Sequence, residues 1–200
     1  ERSNMGDPRK QRKKFERPPH PWQGVRIEAE KILVQKYGLA RKKEIWKMES
    51  LLRQFKRQAK NLTTRTDVQS TKEQKLLLKK MYDLGLLSQD AKLENILDLK
   101  VTDILDRRLQ TIVSTKGLAH TPKQARQFIV HRHIIVSGKK VTVPSYMVKR
   151  LEEDKLAFDG RSPFNDKEHP ERINKKEVPK QEVKAKEEKA EKPVAAEVAA

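Results

Sequence analysis

Two short stretches of this 200-residue chain come nearest to catalytic or metal chemistry, and neither completes it. Ser137-Gly138-Lys139-Lys140 contains the Gly-Lys pair of a phosphate-binding loop. It lacks the earlier glycine, and Lys140 stands where such a loop needs Ser or Thr to reach a magnesium ion. His131-x-His133 offers two imidazoles, but a zinc site needs further ligands and no third lies nearby in sequence. These histidines are expected to face the core or a bound polyanion, with no metal and no cofactor. No Ser-His-Asp arrangement is suggested, so the chain is read as a binding protein and not an enzyme. What the residues do supply is positive charge in a spaced pattern. From Arg107 to Arg150 there are ten Lys or Arg and no Asp or Glu. The chemistry open to such a set is ion pairing and hydrogen bonding to phosphates. Like charge on one folded segment repels itself, and an anionic partner is expected to offset that cost.

Three elements must position these cations. The periodicity of Val101, Ile104, Leu105, Leu109, Ile112 and Val113 predicts one helix over Val101–Ser114. On it Arg107 points away from the apolar face, and Arg108 packs its stem at the edge while its guanidinium reaches out. Lys116 and the stop residue Gly117 follow. A second helix begins at once, with Thr121 as N-cap, Pro122 as first helical residue and Gln124 closing a capping box. Ala125, Phe128 and Ile129 form its apolar face. Lys123, Arg126 and Gln127 fall within an arc of about 100° on the opposite side, with His131 beside them. The short loop makes a helix-turn-helix-like pair. Arg132 leads into a hairpin, Ile134–Val136 and Lys140–Val143, turning at Ser137-Gly138-Lys139. Alanine at Lys123 and Arg126 together is expected to weaken polyanion binding without unfolding this segment. Arg107, Arg108, Lys123, Arg126, Arg132, Lys139 and Lys140 are the expected phosphate ligands. With roughly 6–10 phosphate contacts, affinity is expected to fall about 10³–10⁵-fold between 50 and 200 mM salt.

The rest of the chain supports this segment. Residues 1–21 are basic, contain proline and lack apolar periodicity, so they read as an extended arm. Arg9, Lys10, Arg12, Lys13 and Lys14 are its candidate nucleic-acid contacts. Gly24–Tyr37 carries Val25, Ala29, Ile32 and Leu33 at helical spacing, with Gly38 as the stop. In Lys42–Leu62, Ile45, Met48, Leu52, Phe55, Ala59 and Leu62 form one apolar stripe. Trp46 lies on another face with Arg53, Arg57 and Lys60, and is expected to pack on a neighbour rather than stack on a base. Arg53 and Arg57 are further candidate contacts. A capping box at Ser70-Thr71-Lys72-Glu73 is expected to open a third helix carrying Leu76, Leu77, Met81 and Leu84. A short helix is expected around Leu93–Leu97. The tail from about Glu168 is Lys, Glu, Ala and Pro with too little apolar surface to fold.

Composition narrows the partners. The net charge is +18, and it is unevenly spread: residues 1–150 carry 35 Lys or Arg against 15 Asp or Glu, while residues 151–200 carry 11 against 13. A basic body with a near-neutral tail is a footprint for nucleic acid. No apolar run is long enough to span a bilayer, and no basic amphipathic helix suits a membrane surface. Met5-Gly6 is no myristoylation start, because Lys10 stands where Ser or Thr is required. Cysteine is absent, which removes disulfides and thiolate zinc sites. A helix pair of this kind also occurs in DNA readers. The basic arm and the spread of charge favour wrapping a shaped RNA.

The run DILDRRLQTIVSTKGLAHTPKQARQFIVHRHIIVSGKKVTVPSYMVK resembles the S-four-type RNA-binding domain family, through RRLQT, QARQ with the H-x-HI run after it, and VPSYMV. The segments MGDPRKQRKKFERPPHPW, YGLARKKEIWKMESLLRQFKRQAKNL and GRSPFNDKEHPERI are similar to archaeal members of its small-subunit ribosomal branch. Only the first four residues and the Lys/Glu/Ala tail fall outside the resemblance. It implies an α+β fold: a mostly helical body with an inserted small α/β RNA-binding module of two helices plus a β-hairpin, an extended basic N-terminal arm and a disordered C-terminal tail. The expected divisions are arm 1–21, body 22–100, module 101–150, a return segment 151–167 packing on the body, and tail 168–200. The resemblance also implies direct and early binding to small-subunit rRNA at a junction of its 5′ domain, as a monomer within the cytoplasmic ribosome. The place implied is near where messenger RNA enters, beside a neighbour of the S-five family. Gln127 and His131 are expected to add hydrogen bonds to the phosphate contacts, and Lys116 and Thr121 are further candidate RNA contacts. The cysteine zinc cluster of many bacterial members does not carry over. The alternative is a non-ribosomal RNA- or DNA-binding protein using the same module.

Overall fold

The computed structural model describes residues 13, 15–166 and 169–170. The expectations for Arg9, Lys10, Arg12 and Lys14, and for disorder of the tail beyond residue 170, lie outside the described residues. The chain forms helices α1 (Gly24–Tyr37), α2 (Lys43–Thr63), α3 (Val68–Asp83), α4 (Asn95–Asp98), α5 (Val101–Asp106), α6 (Leu109–Thr115) and α7 (Pro122–Val130). Strands β1 (Ile134–Val136) and β2 (Lys139–Lys140), helix α8 (Arg150–Glu153) and strand β3 (Leu156–Phe158) follow, and a 3-10 turn closes at Pro163–Asn165. None of these helices is long and apolar enough to cross a membrane.

Two apolar clusters organise the molecule. In the first, the α2 stripe is buried as the periodicity requires, from Ile45 through Met48, Leu52, Phe55 and Ala59 to Leu62. Leu77 and Met81 of α3, Ile96 of α4 and Ile104 and Leu105 of α5 close over it. The second joins Leu109, Ile112 and Val113 of α6 to Ala125, Phe128 and Ile129 of α7, Ile134 and Val136 of β1, and Phe158 of β3.

Helix α1 departs from its expected face. Val25 is 79% exposed and Ile32 66%, while Glu30 and Tyr37 are buried and Leu33 and Val34 partly so. The helix is turned by its polar partners. Glu30 receives Arg26 and the Trp46 indole N–H at 3.0 Å, with Lys42 at 3.5 Å. The Tyr37 hydroxyl donates to Asp106 at 2.7 Å, and burial together with that carboxylate pushes its pKa up. A charged hub thus outweighs two exposed aliphatic side chains. Trp46 also lies against the Phe15 ring at 6.3 Å, the neighbour packing expected of it.

The helix expected over Val101–Ser114 is two. Arg107 ends α5, and Arg108 is extended (φ −74°, ψ 144°) before α6 starts. Residues 144–148 cause the break. Leu109 N–H donates to Tyr146 O at 2.8 Å and Val148 N–H to Arg107 O at 3.1 Å, so strand-like bonds replace helical ones there. The box at Ser70 does not form either. Helix α3 starts earlier, and the Ser70 hydroxyl instead donates to the Arg65 and Asp67 carbonyls. Leu76 is 66% exposed, while Leu77 and Met81 supply the inner face.

The sheet is antiparallel in the order β2-β1-β3. Val136 pairs with Lys139, so the turn is two residues, Ser137-Gly138, and not three. Both have positive φ, 48° and 80°, the type I′ pattern that matches strand twist. Strand β3, like α8 and the 3-10 turn, has no counterpart among the elements expected from the sequence. It pairs Ile134 with Phe158 and Val136 with Leu156. Within residues 151–167, β3 and Phe164 pack on β1 and Phe128. Arg150, just before them, bonds Leu87 O and lies over the Tyr82 ring of the body.

Candidate nucleic-acid interface

Helix α7 carries the centre of the site. The Thr121 hydroxyl accepts from Gln124 N–H at 3.2 Å, and Pro122 occupies the first turn, as the sequence requires. The Gln124 side chain reaches back to His120 N–H at 2.7 Å. With Ala125, Phe128 and Ile129 buried, Lys123, Gln127 and His131 are left exposed, as is Thr121 itself. Arg132 follows with φ 66° and Lys139 sits beside the hairpin turn, both exposed. Lys123, Arg132 and Lys139 form no ion pair among the described residues.

Arg126 breaks the expected outward pattern. Its Nη1 lies 3.2 Å from Glu44 Oε1 and 3.4 Å from Gln110 Oε1. Arg108 binds the same carboxylate through Nη2 at 2.6 Å, and it is only 1% exposed. Glu44 is thus a hub on α2 that holds both arginines. Burial pushes its carboxyl upward, but the Arg108 hydrogen bond and the two arginine charges outweigh that and hold it below the ordinary glutamate value. Gln110 completes the seam, donating to the carbonyls of Tyr37, Gly38 and Pro122 at 3.1, 3.0 and 2.9 Å. The approach is close. Gly38 has φ 58°, and a β-carbon there would lie 2.9 Å from Pro122 Cβ, so only glycine fits this meeting of α1 and α7.

The outward reach expected of Arg107 and Arg108 is therefore corrected. Arg107 binds Glu153 at 2.8 Å and Val148 O at 3.2 Å, over Gly85, whose missing side chain leaves the guanidinium its place. Lys116 donates to the Glu153 carbonyl and lies 3.7 Å from Asp154. Lys140 pairs with Asp159, whose carboxyl the lysine's hydrogen bond holds below its ordinary value. Among the described residues, five of the ten cations between Arg107 and Arg150 thus receive acids from outside that stretch. Self-repulsion there is relieved within the fold, and an external anion is not needed to offset it. The acid-free run does not mark a uniformly free surface. It marks a basic segment whose neutralising partners lie before residue 107 and after residue 150.

The histidines divide as well. His133 Nδ1 lies 2.9 Å from the Ser162 hydroxyl, and its ring meets Phe128 and Phe164 edge-on. Burial, then the nearby His131, lowers its pKa. No group of three His, Asp or Glu that could hold a metal ion occurs among the described residues.

A second basic region lies on the body. Lys13, Arg53 and Arg57 line one groove of about 340 Å³ together with Phe15. Arg53 binds Glu16 at 2.7 Å, which fastens the arm along α2.

The S4 domain family matches residues 107–155, the stretch holding α6, α7, β1, β2 and α8. Small ribosomal subunit protein uS4 of Methanococcus aeolicus is 53% identical over 171 residues, covering 85% of this chain and 97% of that protein. The uS4 protein of Methanococcus maripaludis is 51% identical over 170 residues, covering 84% and 95%. That of Methanothermobacter thermautotrophicus is 50% identical over 160 residues, covering 80% and 94%.

Proposed function

The chain belongs to the uS4 family of small ribosomal subunit proteins, and on that premise we propose that it is a structural component of the cytoplasmic small ribosomal subunit that binds rRNA directly. The observation that carries this reading is the exposed outer side of α7 and the hairpin, where Lys123, Arg132 and Lys139 have no acid partner among the described residues. Phosphates take the place of the missing acids and release counterions as they bind. Thr121, Gln127 and His131 add hydrogen bonds, and Lys13 and Arg57 extend the contact to the body. Lys116 and Lys140 contribute only by exchanging their carboxyl partners for phosphate. The role is positioning, with no reaction. The resemblance of residues from Met5 to the start of the tail supports the finer parts of the proposal. The protein binds early, nucleates the 5′ domain, lies as a monomer beside an S-five-family neighbour near where messenger RNA enters, and influences decoding accuracy there.

Competition at fixed salt separates this reading from general nucleic-acid binding. A folded small-subunit rRNA junction should displace a labelled copy of itself about tenfold or more better than duplex DNA of equal charge. Equal displacement by the two would contradict it.

A further inference from the structure

Trp22 is 90% exposed, more than any other large apolar side chain described. It is not carried on a loose arm. Arg26 donates 2.9 Å hydrogen bonds to the carbonyls of both His20 and Pro21, which fixes the backbone just before the indole. Earlier in the arm, Glu16 N–H donates to the Ser50 hydroxyl at 3.1 Å, and Lys43 lies 4.9 Å over the Phe15 ring. The arm so held borders an open pocket of about 460 Å³ against α1 and α2, a volume typical of ligand sites. Phe15, Trp22 and Trp46 give it three aromatic walls. Arg17, Arg26, Lys42 and Lys43 line it too, and Glu30, the one acid in the lining among the described residues, is already held by Arg26 and Lys42. Phe15 also lines the adjoining groove of Lys13, Arg53 and Arg57, in which Glu16 pairs with Arg53.

We propose that this pocket holds one unpaired nucleotide of the bound RNA, its base stacked on Trp22 and its phosphates met by Arg17 and Lys43. The inference rests on the rRNA-binding reading above and adds to it a site outside the matched S4 domain. The charge of the lining decides the occupant. Aromatic faces joined to a cationic groove suit single-stranded nucleic acid, where bases stack and the backbone follows the charge. The adjoining groove gives the next phosphates a path. An apolar segment of a protein partner would meet the same aromatics but leave Arg17 and Lys43 without counter-charge.

The test uses the full chain and a small-subunit rRNA fragment spanning the 5′ domain. Trp22→Ala should weaken binding about 5- to 150-fold, the range for losing one stacked base, with the salt slope unchanged because stacking releases no counterions. Trp22→Phe should keep most of the affinity. Arg17→Ala should lower the salt slope by about one. Wild-type affinity in Trp22→Ala would overturn the pocket and point to a protein occupant. Equal losses in Trp22→Ala and Trp22→Phe would also overturn it, since a phenyl ring still stacks. Wild-type protein that fails to bind the rRNA at all would instead sink the rRNA-binding reading.

Discussion

Glu44→Gln is expected to destabilise the protein by about 3–5 kcal/mol, read from urea unfolding at neutral pH. The effect comes from what the change leaves behind. Arg108 is 1% exposed, its Nη2 reaches Glu44 at 2.6 Å, and its Nε and Nη1 have no other partner. A glutamine keeps one acceptor but removes the charge, so a buried guanidinium is left uncompensated. Arg126 loses the same carboxylate and retains only Gln110. The pH dependence follows from the lowered pKa of Glu44. A carboxyl lowered by folding stabilises fully above its ordinary value of 4.5, and that stabilisation is lost as pH falls toward the folded pKa. The gap between wild type and Glu44→Gln should therefore narrow below about pH 4.5. Pairing Glu44→Leu with Arg108→Met should recover most of the loss, because two apolar side chains leave no buried charge. A single variant within about 1 kcal/mol of wild type would refute the hub.

Phe128→Ala comes next, with an expected loss of about 3–5 kcal/mol. The ring is 3% exposed and lies 4.4 Å from Phe164, 6.1 Å from Phe158 and 6.2 Å from His133. It therefore joins α7 to β3 and to the closing 3-10 turn, and its removal opens a cavity where three segments meet. Phe128→Leu should cost clearly less, since most of the volume is kept. The comparison is again by urea unfolding, and an alanine variant as stable as the leucine one would contradict the packing.

What could be read from the sequence divides by range. The α2 stripe and the Thr121-Pro122 start of α7 were legible because their signals are local, one a period and the other a cap. The interruption at Arg107-Arg108 was not, because no glycine or proline marks it. Residues 144–148 impose it from 36 or more positions downstream. Strand β3, Leu156-Ala157-Phe158, was hidden because it lacks the β-branched residues that mark the equally short β1, Ile134-Ile135-Val136. Helix α1 misled because one of its two buried positions is a glutamate, whose hydropathy points outward and whose partners Trp46 and Lys42 lie outside the helix. The same limit applies to the candidate contacts. A helical wheel places Arg126 outward beside Lys123, but it cannot see Glu44, 82 residues away. Alanine at Lys123 and Arg126 together would therefore mix a surface effect with a structural one. Lys123, Arg132 and Lys139, which have no acid partner among the described residues, are the cleaner probe.

Lys123, Arg132 and Lys139 together changed to Ala provide the most direct measurement. Affinity of the full chain for the 5′-domain rRNA fragment is followed across salt concentration, beside its urea midpoint. The account predicts a log–log slope shallower by about 2–3 and weaker binding throughout, with an unchanged midpoint. A slope and affinity equal to wild type would contradict the claim that this face of the fold meets the RNA.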